Sequence, residues 1–193
     1  MKRLLNHLAL LMIVIVLVTA GCATAPPNLQ TYARPEADFS SIKRIAVFPF
    51  EALNPDEFSG ERIRRLVIAE FLNKGYEIIE PGEVLSVMTE MLPNRSLAGL
   101  SRDDITKVSK KLNADAVVTG AVETYRMSSG VTVPYPDVSI SLRLLSSSSG
   151  DILWSAAHTS GGPNFWTRHF GSEGITLSEA AKKVVHEAIQ RLP

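Results

Sequence analysis

Apolar residues follow three different spacings along this chain. Residues 8–18 are apolar almost without a break, and residues 138–145 alternate strictly. Elsewhere apolar positions recur every three or four residues. Ile63, Leu66, Val67 and Phe71 form one such set; Val84, Leu85, Met88, Met91 and Leu92 form a second. Ile105, Val108 and Leu112 make a third, and Ala181, Val184, Val185, Ala188 and Leu192 a fourth. Each set draws a stripe on one face of a helix. The first helix is expected over 61–74, with Ser59 as N-cap, Glu61 in the dipole-favoured first turn and Gly75 free to turn left-handed. Arg62, Arg64, Arg65 and Lys74 fall off its stripe and are expected in solvent. Pro81, Gly82 and Glu83 open the second helix, and Pro93 and Asn94 end it. Ser101 with Asp104 and Thr176 with Glu179 have capping-box spacing, opening the third and fourth, and Asn113 can close the third.

The strands follow a different rule. Residues 43–50, KRIAVFPF, are nearly continuously apolar from Ile45, as in a strand covered on both faces, and Pro49 has no N–H to continue a ladder. Residues 76–79 read as a short strand, and residues 114–122 as a buried one running on through Tyr125. Over 138–145, Val138, Ile140, Leu142 and Leu144 alternate with Ser139, Ser141 and Arg143, which predicts a half-exposed antiparallel strand. A turn at 148–151 leads to its hairpin partner at 152–159. The order β-α-β-α-α-β-β-β-α implies an α/β domain: a mixed sheet with helices packed on it.

The start of the chain carries an address. Met1, Lys2 and Arg3, the apolar run and the small residues Ala20 and Gly21 before Cys22 are the parts of a secretory signal. The run is short of the ~20 residues that span a bilayer. Cys22 is the single cysteine, and the pattern resembles a bacterial lipoprotein signal, which implies a diacylated thiol at residue one of the mature chain. With alanine rather than aspartate at position 23, the resemblance implies sorting to the outer membrane. The expected organisation is therefore a signal peptide over 1–21, lipidated Cys22 and a flexible tether over 22–41 containing Pro26, Pro27 and Pro35, and a periplasmic domain over 42–193.

Charge and motifs narrow the chemistry. Basic and acidic residues balance at 20 each, and loss of Lys2 and Arg3 leaves a slight acidic excess, which argues against nucleic acid as a partner. Residues 51–60 follow the first strand, where a nucleotide phosphate would sit, yet they hold a single glycine and three acidic residues. Ser40 and Lys43 match a Ser-x-x-Lys pair by letter but lack its partner motifs. His158, His169 and His186 have no metal-ligand spacing, and Asp103 and Asp104 suit the first turn of a helix. No catalytic residue, cofactor or metal ligand is expected. The stretch 163–174 concentrates Phe165, Trp166, His169 and Phe170, which either fold it back onto the sheet edge or contact a partner.

The strand RIAVFPF, the helix end at Gly75, Tyr76, Glu77 and Ile78, the segment LNADAVVTGAVETY (112–125) and the hairpin ISLRLLSSSSGDILWSA (140–156) resemble the lipoprotein domain of the curli assembly and transport family. Periplasmic lipoproteins that activate peptidoglycan synthases, and the N-terminal domain of the Tol translocation protein, are similar in the same elements. The resemblance implies a domain for protein–protein contact and supplies no catalytic residue. Neither 127–137 nor 161–176 can furnish a pair of barrel strands of ~9–11 residues, so no secretion pore is expected. The expectation is a non-enzymatic, outer-membrane-anchored lipoprotein that docks on envelope proteins, a peptidoglycan synthase or an assembly and secretion complex. Two alternatives stand beside it: a homo-oligomeric accessory subunit of a curli-type apparatus, and a cell-wall hydrolase using His158 or His169.

Overall fold

A mixed sheet of seven strands organises the molecule. The computed structural model describes residues 28–93, 96–129, 134–160 and 175–193. The strands are β1 (Leu29–Ala33), β2 (Arg44–Val47), β3 (Glu51–Ala52), β4 (Glu77–Ile78), β5 (Ala116–Ser128), β6 (Tyr135–Ser146) and β7 (Ile152–Ser160). The helices are α1 (Ser59–Asn73), α2 (Pro81–Met91), α3 (Arg102–Lys111) and α4 (Leu177–Gln190). Across the sheet the order is β1-β7-β6-β5-β2-β4, with β3 pairing β5 beyond the end of β2. β4, β2 and β5 run parallel, and β5, β6, β7 and β1 antiparallel. From β2 onward this is the α/β order that the apolar spacing implies, except that the two-residue β3 stands as an added strand between β2 and α1.

Each face has its own core. α1 and α4 cover one face, where Ile63, Val67, Phe71, Val184 and Val185 pack on Val47, Val118, Leu142 and Trp154. α2 and α3 cover part of the other, where Val84, Met88, Ile105 and Val108 meet Ala46, Phe48, Val117 and Leu145. Local signals set the helix ends. Both capping boxes form, at Ser101 with Asp104 and at Thr176 with Glu179. Gly75 (φ 89°) and Asn113 (φ 51°) take the left-handed conformation that ends α1 and α3. Ser59 is not the cap of α1. It is the first helical residue after Phe58, and its hydroxyl accepts from the Asn54 side-chain amide at 2.9 Å.

The tether expected over 22–41 gives way to structure from residue 29. β1 pairs with β7, placing Leu29 opposite His158 and Ala33 opposite Trp154. Pro26, Pro27 and Pro35 flank this strand rather than interrupt it, so its N–H groups stay intact for pairing. Both ends are fixed. The Asn28 carbonyl accepts from the Thr159 N–H at 3.0 Å, and Arg34 donates its N–H to Leu153 and its guanidinium to Asp151.

Arg64 also departs from expectation, because it lies at 5% exposure rather than on a solvated face with Arg62 and Arg65. The cause is a missing donor. Lys43 and Ile45 accept from the N–H groups of Glu77 and Ile79 along the parallel ladder. The same step would next bring the Val47 carbonyl to residue 81, and Pro81 has no N–H. Arg64 supplies what is lacking, donating to Val47 from Nε at 3.1 Å and Nη2 at 2.7 Å. A buried carbonyl left bare there would cost about 1–3 kcal/mol.

Candidate functional site

Cys22 and the aromatic residues Phe165, Trp166, His169 and Phe170 lie outside the described residues. The remaining candidates have structural partners. The Ser40 hydroxyl donates to Asp38 at 2.6 Å and the Ser41 hydroxyl to the Asp38 carbonyl, closing a single turn, Phe39–Ser41. Hydrogen bonds from Ser40 and Ser41 hold the Asp38 carboxyl below the usual carboxylate range. His158 is buried, with Nδ1 3.0 Å from the Asn28 carbonyl and Nε2 2.6 Å from the Glu187 carboxylate. Neither nitrogen is left for a substrate; the ring clamps the start of β1 to α4. His186 joins Glu70 at 3.0 Å between α4 and α1, and Asp103 pairs with Lys107 one turn along α3. Among the described residues no three His, Cys, Asp or Glu side chains gather to hold a metal, and no helix is long and apolar enough to cross a membrane.

What the fold leaves open is a surface. α2 and α3 lie over β2, the first part of β5 and Leu145 near the end of β6, and among the described residues neither core cluster places a helix on that face over the rest of β6, β7 or β1. Strand register sets two rows across it: Thr119, Arg143, Ser155 and Tyr32 in one, Ala121, Ser141, Ala157 and Gln30 in the next. Most of these side chains are small, so the rows make a shallow shelf on which half-exposed Tyr32 stands out. Where the shelf meets α3 it deepens into a cleft of about 260 Å³. Phe48, Leu100, Ile105 and Leu145 give the cleft an apolar wall, while Thr119, Ser141 and Arg143 line it from the sheet.

The charges around the cleft are unequal in partnership. Arg34 and Arg102 share Asp151, at 3.1 and 2.7 Å, and bolt the end of β1 and the start of α3 to the β6–β7 turn. The hydrogen bonds of Arg34 and Ser149, with the charge of Arg102, hold the Asp151 carboxyl below its ordinary range. Arg143, by contrast, is exposed and forms no ion pair among the described residues. Nor is any His, Lys or carboxylate hydrogen-bonded to Thr119, Ser141 or Ser155 among the described residues, so no hydroxyl there is set up as a nucleophile. The shelf has the chemistry of a contact surface: flat hydroxylated rows, one aromatic ring, an apolar cleft and a free guanidinium. Ser139, Ser141 and Arg143 signalled an exposed face in the sequence; Arg143 is exposed and Ser141 half-buried, but Ser139 is buried, and the extent of the face's cover was not readable there.

No family model matches the chain, and no curated protein does. Solved structures do. The PelC dodecamer from Paraburkholderia phytofirmans superposes with a TM-score of 0.59 at 19% identity, covering 85% of this chain and 95% of that one. Lipoprotein GNA1162 from Neisseria meningitidis gives 0.51 at 21% identity over 77% of this chain and 99% of that one. The C-terminal domain of LpoB from Escherichia coli is more distant, at 0.46 and 15% identity over 65% of this chain and 88% of that one. At these identities the likeness to PelC and GNA1162 is one of fold alone, and these structures do not show a curli-type domain.

Proposed function

We propose that this chain is a cell-envelope lipoprotein, anchored through Cys22 at the periplasmic face of the outer membrane, that works without catalysis by docking on other envelope proteins. The bare sheet face with its unpaired Arg143 is the observation that carries the docking half of this reading. The anchoring half rests on the sequence around Cys22, and a fold shared with a lipoprotein of Neisseria meningitidis supports it. Two acyl chains suffice for a stable anchor where one does not.

The position of β1 tightens this reading. Only residues 23–28 separate Cys22 from the first strand, and at ~3.3–3.6 Å per residue Leu29 lies about 25 Å at most from Cys22. The domain is therefore held close to the bilayer, and its partner is a membrane-proximal protein such as a peptidoglycan synthase or an assembly and secretion complex. Phe165, Trp166, His169 and Phe170 would add aromatic area to that contact. A homo-oligomeric accessory role is the second reading, favoured by the fold shared with the PelC dodecamer.

Cys22→Ala tests the anchor. Acyl labelling and outer-membrane fractionation are expected to be lost, with activity in cells abolished and the thermal unfolding of the domain unchanged. Full activity from the unanchored protein would contradict the reading.

A further inference from the structure

Among the described residues, the edge of the sheet formed by β1 lacks the usual defences. Exposed edges are ordinarily blunted by charge, proline, a bulge or extreme shortness. β4, at the opposite edge, is two residues long and carries Glu77 paired with Arg44. β1 has the sequence LQTYA, with no charge, proline or glycine, and Gln30, Thr31 and Tyr32 are all exposed. It is also held in place by Asn28 with His158 at one end and by Arg34 with Asp151 at the other.

Its hydrogen bonding gives the edge a definite register. Asn28 and Arg34 bond to β7, so antiparallel alternation turns the backbone groups of Gln30 and Tyr32 inward as well. Those of Leu29, Thr31 and Ala33 face outward. Centred on Thr31, the strand is complementary to itself. A second copy running antiparallel sets Thr31 against Thr31, Leu29 against Ala33 and Gln30 against Tyr32, and every outward N–H and C=O finds a partner. No like charges meet, since Arg34 comes opposite Asn28.

We propose that β1 is the site of two-fold strand addition by a second copy of this chain, giving one continuous sheet across the pair. Such a pairing is isologous and keeps both α1–α4 layers on one side. The two shelves then lie side by side as a single platform with Tyr32 of each copy near the seam. A five-residue strand is a weak contact alone, and confinement to one membrane raises its effective concentration, so in cells the proposal rests on the anchored reading.

Thr31→Cys in the full-length chain in native membranes provides the test. Paired Thr31 positions would have Cα atoms ~5.5 Å apart, within the ~4.4–6.8 Å span of a disulfide. Mild oxidation is expected to give a disulfide-linked dimer at least tenfold more abundant than from Leu29→Cys, while Leu29→Cys with Ala33→Cys restores it. Thr31→Pro removes an outward N–H and no β7 bond, so it should abolish that double-cysteine dimer while leaving thermal unfolding unchanged. The absence of a Thr31→Cys dimer both in membranes and in the purified protein described next, equal yield from Leu29→Cys, or linkage to a different protein would each overturn the proposal. Thr31→Cys in a Cys22→Ser background, purified at ~1 mM, separates it from the anchor: a register-specific dimer there with none in membranes rejects the anchor and keeps the edge.

Discussion

Trp154→Ala should lower the stability of the domain by about 4 kcal/mol, the middle of the ~3–5 kcal/mol range for emptying a buried indole site. For a domain of this size that is a fall in Tm of roughly 8–16 °C. Trp154 is fully buried in the larger core and stands on β7 between Leu144 of β6 and Ala33 of β1. Its loss thus removes packing that holds β1 to the sheet as well as packing beneath α4. The indole N–H has no hydrogen-bond partner among the described residues. Trp154→Phe therefore trades lost volume against the release of an orphaned donor, whose burial costs about 1–3 kcal/mol, and should lose less than half as much as alanine. Urea unfolding of the two variants checks both numbers; equal losses would show that the N–H is paired.

Gly60→Ala should be nearly as severe, although alanine favours a helix. α1 approaches the chain between β2 and β3 so closely that a Cβ at position 60 would stand 2.4 Å from the Phe50 carbonyl oxygen. That oxygen belongs to the backbone, so relief requires α1 or the Phe48–Pro49–Phe50 crossing to move, at about 3 kcal/mol. Gly99→Ala is the control, with nothing within 4 Å of the added methyl. Thermal unfolding should show a loss of roughly 6–12 °C for Gly60→Ala and almost none for Gly99→Ala. Similar behaviour of the two variants would mean that the close approach is not as described.

These two positions show which parts of the fold the chain announces locally. Helices, capping boxes and the left-handed stops at Gly75 and Asn113 depend on neighbours within a few residues and appear where the spacing places them, but of the second helix's stripe only Val84 and Met88 are buried, while Leu85 and Met91 are exposed. β1 does not announce itself, because LQTYA has no alternation and gains its partner only once β7 is in place. Arg64 is hidden for a similar reason. Its burial answers a carbonyl on β2 that goes unpaired because residue 81 is proline, a conjunction of three distant positions.

The shelf belongs to the same class. Ser141 and Arg143 mark the open side of β6, while Ser139 is buried against Glu123 and Thr159, and whether a helix covers that side is decided by where α2 and α3 end, not by β6. The proposed address at Cys22 rests on the sequence alone, whereas the histidines acquire meaning only from the acceptors the fold sets around them. For His158 those acceptors are Asn28 and Glu187, and the result is a clamp on the first strand.

Site-specific photo-crosslinking in living cells tests the central claim most directly, with the probe in place of Ser141 on the shelf or of Lys183 on the opposite, helix-covered side. The account predicts that the Ser141 probe captures a defined envelope protein, that Arg143→Glu abolishes this capture without changing the amount of chain in the membrane, and that the Lys183 probe captures none. Capture from Lys183 and not Ser141, or a Ser141 product indifferent to Arg143→Glu, would contradict it.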